Sequence, residues 1–268
     1  MPVRFFAVLL AVGAILSASC SRQPPAAPTR GVAITLSVAA STREIVESQA
    51  AAFVKTHRAA ALSVNPGPSS GLATQIIEGA PVDLFLSASS AWADKVEQAG
   101  LVAKRVDLLM NSLVIVVPKG NPLGIKDPAD LSKEGVKRIA LAGENVPAGQ
   151  YADQALEKLE LLAPLKTAGK IVRGQDVRSA LAYVQRGEAE AGIVYSTDVR
   201  TATELEIASE IDPKLHDPIV YVLVLLKDGE LKPEATKLFE FLQAPEANAV
   251  YASAGFRRIE PSASPSQP

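Results

Sequence analysis

The sequence has one cysteine, two histidines and few aromatic residues, and these shortages narrow the functions that it can serve. A single cysteine, Cys20, precludes an intramolecular disulfide and leaves no thiolate nucleophile or zinc–sulfur cluster for the folded part. We expect His57 and His216 at the surface, since they end a helix and lie in a polar connection. The sequence also lacks a GxSxG elbow, an HExxH pair and a Walker phosphate loop. The chain is therefore predicted not to be an enzyme.

The chain also lacks an excess of charge of either sign. It has 27 Lys and Arg against 29 Asp and Glu, a net charge of −2, and its basic residues are scattered. Proteins that bind nucleic acid generally present a concentrated positive field, so we exclude nucleic acid as a partner. Hydrophobic residues make up 48% of the chain and aromatic residues 5%, which indicates a globular core built mainly from Ala, Val, Leu and Ile.

The two ends of the chain differ in composition from the rest. Residues 1–19 contain one early arginine, a short apolar run and then small residues, which is typical of a secretory signal peptide. The residues up to Cys20 resemble a bacterial lipobox, in which the cysteine is acylated and becomes the mature N-terminus; a plain signal-peptidase site is the alternative. Residues 20–31, rich in Pro and Ala, would then be a tether, and residues 261–268 a disordered tail. We expect an exported protein on the periplasmic or outer cell-surface side, lipid-anchored at Cys20.

Short apolar segments alternate with amphipathic helices between these ends. This alternation predicts an α/β fold with mixed, mostly parallel sheets flanked by helices. Long apolar strands near residues 111–118 and 218–226 predict two lobes joined by two crossing strands. We assign residues 32–112 and 219–260 to a discontinuous lobe I and residues 113–218 to lobe II. Such an arrangement places a ligand cleft between the lobes.

Small and polar residues occupy the predicted turns from strand to helix. A helix N-terminus has unpaired N–H groups and a partial positive charge, so it can hold an anion without a basic side chain. Ser41 begins one helix with Glu44 three residues later, the spacing of a capping box, and Ser69 begins another. Each turn alone is typical of ordinary capping. Because such turns collect at the carboxyl edge of an α/β sheet, together they predict a site for a small oxyanion.

The second half of the folded part has turns of the same kind. Ala148 and Gly149 follow a proline at a helix start and are small enough to let a ligand approach the backbone. Asp176 is expected to cap a helix that begins with Val177, and Tyr195 ends a buried strand with a phenol at the same edge. We expect Asp176, Arg173 and Arg178 to serve in capping and in salt bridges that close the lobes.

Several motifs in this order resemble the periplasmic molybdate-binding family of ABC importers. The most telling are EGAPVDLF (78–85), VPAG-x-YA (146–152) and GIVYSTD (192–198), within a collinear match from about Val32 to Phe256. One departure is the sequence NPGP (65–68), where members often have more hydroxyl groups. The resemblance implies a two-lobed periplasmic-binding-protein fold of type II. It also implies hydrogen bonds to the oxyanion from the hydroxyls and N–H groups of Ser41 and Ser69, the N–H groups of Ala148 and Val177, and the phenol of Tyr195.

The same resemblance implies a ligand and partners. The ligand would be molybdate, and also tungstate, held by neutral donors with no direct bond from protein to metal and with no cofactor. A permease and an ATPase would be separate chains, membrane contact would be through the lipid anchor only, and the protein would be a monomer. The same fold carrying another oxyanion such as sulfate, and a ligand sensor outside transport, remain as alternatives.

Overall fold

The computed structural model of the protein describes residues 31–259. The predicted signal peptide, Cys20, nearly all of the tether and the C-terminal tail lie outside these residues. Across the described range, none of the helices combines the length and the apolar character needed to cross a bilayer.

The described chain alternates between strands and helices along most of its length. The strands are β1 (Val32–Ala39), β2 (Ala60–Gly67), β3 (Leu84–Ser87), β4 (Val102–Met110), β5 (Leu113–Pro118), β6 (Ile139–Ala142), β7 (Ile171–Gly174), β8 (Ala191–Tyr195), β9 (Leu205–Glu210), β10 (Val220–Leu226) and β11 (Arg257–Arg258). The helices are α1 (Arg43–Thr56), α2 (Ser69–Ile77), α3 (Ser90–Gln98), α4 (Pro147–Lys158), α5 (Leu162–Thr167), α6 (Val177–Gln185), α7 (Ser196–Val199), α8 (Lys227–Glu230), α9 (Pro233–Phe241) and α10 (Pro245–Ser253). Short 3₁₀ turns cover Ala40–Thr42, Pro128–Ser132 and Pro213–Leu215.

These strands form two mixed sheets. The first has the order β11-β4-β10-β3-β1-β2 and the second the order β7-β6-β8-β5-β9. Every residue of β3, β6 and β8 is buried, as expected of central strands that are covered by helices on both faces. The prediction of α/β sheets flanked by helices is confirmed.

The expectation that the sheets are mostly parallel is wrong. Parallel pairing joins β1 to β2 and β3, and β6 to β7 and β8. Antiparallel pairing joins β10 to β3 and β4, β11 to β4, and β5 to β8 and β9. The difference comes from β4, β9 and β11, which the sequence pattern did not indicate. Charged residues such as Lys104 and Arg105 interrupt the apolar pattern of β4, and β9 is a partly exposed edge strand.

The chain crosses twice between the sheets, directly before the two long apolar strands. It leaves the first sheet after β4 and enters the second at β5, then returns between β9 and β10. The two crossings run side by side, since the N–H of Asn111 donates to the carbonyl of Ile219 at 3.3 Å and the N–H of Ile211 donates to that of Leu113 at 2.9 Å. The strands of each sheet fall on opposite sides of the predicted lobe boundaries. The division into lobe I and lobe II stays a prediction.

One expectation about the surface is wrong. His216 is buried, with 6% of its surface exposed, and its ring packs at 5.9 Å from that of Tyr151. The polar connection that contains it is folded onto α4, through hydrogen bonds between Asp217 and Gln154. His57 is half-buried and stacks on Phe53.

Candidate functional site

A small cavity lies where the carboxyl ends of strands from both sheets meet. It encloses about 220 Å³, part of it open to solvent. The first sheet and the turns after its strands contribute one wall, and those of the second sheet contribute the other. The lining residues are Ala39, Ala40, Ser41, Gly67, Pro68, Ser69, Ala88, Val146, Pro147, Ala148, Asp176, Val177 and Tyr195. All five residues that the sequence predicted as oxyanion contacts therefore line one cavity.

Helix starts surround this cavity. Helix α2 begins at Ser69, α4 at Pro147 and α6 at Val177, while Ser41 lies in the 3₁₀ turn before α1. The first N–H groups of a helix have no acceptor within the helix. Because Pro147 has no N–H, Ala148 provides the first donor of α4. Among residues 31–259 the lining includes no Lys, Arg or His, so the donors that it can offer an anion are backbone N–H groups and hydroxyls.

The hydroxyl oxygen of Ser69 accepts a hydrogen bond from a backbone N–H of the protein. The N–H of Ala88 donates to Ser69 Oγ at 3.0 Å, and Ser69 is only 1% exposed. A backbone N–H can only donate, so the oxygen of Ser69 is an acceptor in this contact. Its own proton is thereby free to point at a ligand.

The phenolic oxygen of Tyr195 is the atom of the cavity that most directly indicates a bound ligand. The residue is 1% exposed, and its phenolic oxygen has no hydrogen-bond partner among residues 31–259. Burial raises the pKa of Tyr195 well above its usual value, which keeps the phenol protonated. Buried hydroxyls nearly always have a partner, and this one lines a cavity. The geometry fits an acceptor atom bound inside.

Asp176 is the one carboxylate in the cavity lining. Its Oδ1 accepts hydrogen bonds from the N–H of Ser179 at 2.7 Å and from Ser179 Oγ at 2.9 Å. These bonds confirm that it caps α6. The cap stabilises the helix start that presents the N–H of Val177.

Two details of the predicted turns are wrong. Ser41 and Glu44 do not form a capping box, because an additional 3₁₀ turn places Thr42 at the start of α1 and Ser41 Oγ lies 2.8 Å from Tyr221 Oη instead. The glycine at position 149 is required by packing within the protein and not by the approach of a ligand, since a Cβ there would lie 2.2 Å from the carbonyl oxygen of Gly143. It lets α4 approach the end of β6.

Arg178 makes a salt bridge of the predicted kind between the two sides of the cavity, whereas Arg173 does not. Arg178 on α6 contacts Glu44 on α1 at 2.5 Å, and its Nε lies 3.1 Å from the buried carboxylate of Asp198. The first contact joins helices that flank different sheets. Arg173 instead binds both carboxylate oxygens of Asp153, at 2.8 and 2.9 Å, on the side of the second sheet.

Sequence reasoning missed Tyr221 and Ala88 as parts of the site. Tyr221 lies in β10 and is fully buried, and Ala88 directly follows β3. Tyr221 is 180 residues from Ser41 in sequence, so local spacing gave no indication that they meet. The polar tip of a tyrosine in an otherwise apolar strand was the available signal, since a buried phenol usually finds a partner.

Two α/β sheets joined by paired crossings, with a donor-lined cavity between them, define a two-lobed ligand-binding protein. The family model described as "Bacterial extracellular solute-binding protein" matches residues 34–257. The chain belongs to that family. The predicted resemblance to the molybdate-binding proteins of ABC importers is confirmed by relatives in that group.

Individual relatives match over most of their length. The Bacillus subtilis protein YvgL, provisionally named as an ABC transporter substrate-binding lipoprotein, is 37% identical over 94% of this chain and 96% of its own. The molybdate-binding protein ModA of Haemophilus influenzae is 32% identical over 83% of this chain and 89% of its own. The structure of the Azotobacter vinelandii periplasmic molybdate-binding protein covers 85% of this chain and all of its own, with a TM-score of 0.75 and 24% identity.

These relationships establish the general role. The chain is a substrate-binding protein of the ABC transporter class, and its family consists of solute-binding transport proteins rather than enzymes. Proteins of this class act together with permease and ATPase partners. The prediction that the chain is not an enzyme is confirmed.

Proposed function

We propose that this protein captures molybdate in the cavity between its two sheets and delivers it to an ABC importer. The phenol of Tyr195 is the observation that carries the proposal, because it places in the cavity a buried donor that has no acceptor among residues 31–259. The Ser69 hydroxyl and the helix starts at Ala148 and Val177 add donors around the same space. The relatives named for molybdate binding support the choice of ligand.

A cavity of neutral donors suits an oxyanion that carries no proton. Molybdate is fully deprotonated at neutral pH, so each of its oxygens can accept hydrogen bonds. Phosphate retains a proton near pH 7, and that proton would need an acceptor inside the cavity. Asp176 is the one carboxylate that the described residues contribute to the lining, and because its Oδ1 caps α6, only its Oδ2 could accept that proton. We therefore expect weak binding of phosphate.

Sulfate is the strongest alternative ligand, because it is also a dianion without a proton. Charge cannot separate it from molybdate, so selection must depend on size. Sulfate is smaller, and donors placed on opposite walls would form longer and weaker hydrogen bonds to it. Tungstate is close to molybdate in size and charge, and we expect it to bind as well.

The absence of a Lys or Arg in the lining also suits a transport protein. A Lys or Arg would add the attraction of a full opposite charge to its hydrogen bond with the ligand, so a cationic site would release a dianion more slowly. Neutral donors provide affinity while allowing transfer to a permease. We further propose acylation at Cys20 as the membrane anchor, a monomeric state, and binding without a cofactor.

A thermal-shift series tests the proposal. Molybdate, tungstate, sulfate and phosphate are added separately to the purified mature chain at equal concentration and ionic strength. Ligands that bind only the folded state raise the unfolding temperature according to their affinity. We expect large, similar shifts with molybdate and tungstate and small ones with sulfate and phosphate. A shift with sulfate equal to that with molybdate would favour the alternative ligand.

A further inference from the structure

We propose that Asn111 and Tyr221 are positioning residues that fix the hydroxyl of Ser41 as a donor toward the cavity. Neither residue lines the cavity, so each would act through Ser41. The consequence is selection for ligand oxygens that carry no proton. This inference rests on the proposed function for the identity of the ligand, but the direction of the hydrogen bonds follows from the protein alone.

The orientation of the Asn111 amide is fixed by a backbone group. The N–H of Ser112 donates to Asn111 Oδ1 at 2.9 Å, and Ser196 Oγ donates to the same oxygen at 3.1 Å. Because a backbone N–H requires an acceptor, this side of the amide must be the oxygen. The amide nitrogen then faces the other way, toward Thr197 Oγ1 at 2.9 Å and Tyr221 Oη at 3.3 Å.

The phenol of Tyr221 is consequently an acceptor from Asn111 and a donor to Ser41. Tyr221 is fully buried, and burial raises the pKa of its phenol, so it keeps its proton. Among the described residues, the only other hydrogen-bond partner of Tyr221 Oη is Ser41 Oγ, at 2.8 Å. If Ser41 donated instead, the phenolic proton would be buried without an acceptor, which is unfavourable.

The hydroxyl of Ser41 accepts from Tyr221 and retains its own proton for the cavity. The hydroxyl of Ser69 is likewise made an acceptor on its protein side, by the N–H of Ala88. Because that donor is a backbone group, exchanging a side chain for another that keeps the N–H leaves it in place. The direction in which the Ser41 hydroxyl donates, in contrast, depends on the side chains of Tyr221 and Asn111, which can be substituted. A protonated ligand oxygen would meet a donor at Ser41 and lose a hydrogen bond.

The test compares affinities for molybdate and for hydrogen phosphate, measured by calorimetry at pH 7.5 on the full mature chain. Tyr221→Phe removes the donor, so the Ser41 hydroxyl can turn and accept from a protonated oxygen. We expect molybdate to bind about five- to tenfold more weakly and the ratio of molybdate to phosphate affinity to fall at least fivefold. A merely structural role would weaken both ligands alike, and an unchanged ratio overturns the proposal.

A second variant reverses the direction of the hydrogen bonds that run from Asn111 through Tyr221 to Ser41. Asn111→Asp places an acceptor opposite Tyr221 Oη, so the phenol donates to the carboxylate and Ser41 donates to the phenol. We expect a greater loss of molybdate affinity than in Tyr221→Phe; a smaller loss contradicts the proposal. Tyr251→Phe is the matched control, because Tyr251 is a buried phenol that donates to the carbonyl of Leu242 and is not among the cavity residues. It should leave both affinities unchanged.

A measurement without ligand separates this inference from the proposed function. In nuclear magnetic resonance spectra of tyrosine-labelled protein, the phenolic proton of Tyr221 should exchange slowly and shift in Ser41→Ala. Rapid exchange, or no shift in that variant, overturns the positioning role. Wild-type protein that shows this proton but does not bind molybdate would refute the proposed ligand alone.

Discussion

Arg178 Nη2 lies 2.5 Å from Glu44 Oε2, and this ion pair joins helix α6 beside the second sheet to helix α1 beside the first. Arg178 directly follows Val177, which lines the cavity and whose N–H we propose as a donor to the ligand. The pair therefore links the two walls of the cavity one residue away from a proposed ligand contact. Opening the cavity by separating the sheets would break it.

Removing this link should weaken ligand binding slightly. Glu44→Gln keeps the size of the side chain and removes its charge, and Glu44 is largely exposed. Partly exposed ion pairs contribute roughly 0.2 to 1 kcal/mol, so we expect about a 1.4- to fivefold loss of molybdate affinity by calorimetry, smaller at high salt. Glu47→Gln is the control, because Glu47 pairs with Arg43 on the same helix. An equal loss in both variants would contradict a closing role.

The phenol of Tyr195 should affect binding and stability in opposite directions. Tyr195→Phe removes a donor to a charged ligand, which costs about 1.5 to 3 kcal/mol, or roughly a ten- to hundredfold loss of affinity. In the ligand-free protein this change removes a buried hydroxyl that has no partner within the described part of the chain, so the free energy of unfolding should stay the same or rise. Urea denaturation and calorimetry measure the two quantities. Lower stability together with unchanged affinity would contradict the assignment of Tyr195.

Gly149 should be required for the position of the α4 start. A Cβ at Gly149 would lie 2.2 Å from the oxygen of Gly143 and 2.5 Å from that of Ala142. Gly149→Ala should therefore lower the free energy of unfolding by about 1 to 3 kcal/mol and also weaken ligand binding by displacing Ala148.

Gly71→Ala is the control for this change. Gly71 is likewise the third residue of its helix, α2, but a Cβ there would meet only the side chain of Pro68 at 3.5 Å. Alanine favours a helix over glycine, so stability should hold or rise. Comparable losses in the two variants, measured by urea denaturation, would refute the steric argument.

Asp198 should make stability depend on pH. Burial raises the pKa of its carboxyl to about 7 in the folded protein, against the opposing effect of Arg178. The folded state then binds the proton more tightly than the unfolded state, so stability should fall as pH rises from about 4 to 7. Asp198→Asn removes this titration. Its stability relative to wild type should therefore be higher at pH 7.5 than at pH 5 in chemical denaturation, and a constant difference between the proteins would contradict the shift.

The turns that hold five of the thirteen lining residues could be predicted because strand ends and helix starts are visible locally, and the family resemblance selected the five residues within them. Proline, serine and aspartate at these turns indicate where each helix begins, and α/β topology brings the turns to one edge. Tyr195 could be placed at this edge because it ends a buried run of five residues.

What could not be predicted depends on distant contacts. The partner of Ser41 is Tyr221, across the sheet, so its capping role with Glu44 was a reasonable but wrong interpretation of local spacing. Strand β4 was not predicted, because the charged side chains of Lys104, Arg105 and Asp107 disrupt its apolar pattern. Contacts between distant strands of the first sheet, rather than the propensity of a segment, determined both features.

The most direct test of the central claim is the anomalous scattering of molybdenum in crystals of the mature chain grown with molybdate. We predict one strong peak in the cavity, with oxygens within hydrogen-bond distance of Ser41, Ser69, Ala148, Val177 and Tyr195. The phenol of Tyr195, which has no hydrogen-bond partner among the residues that the structure describes, should gain a ligand oxygen as its partner. A peak elsewhere, or an empty cavity at saturating molybdate, would contradict the proposed site.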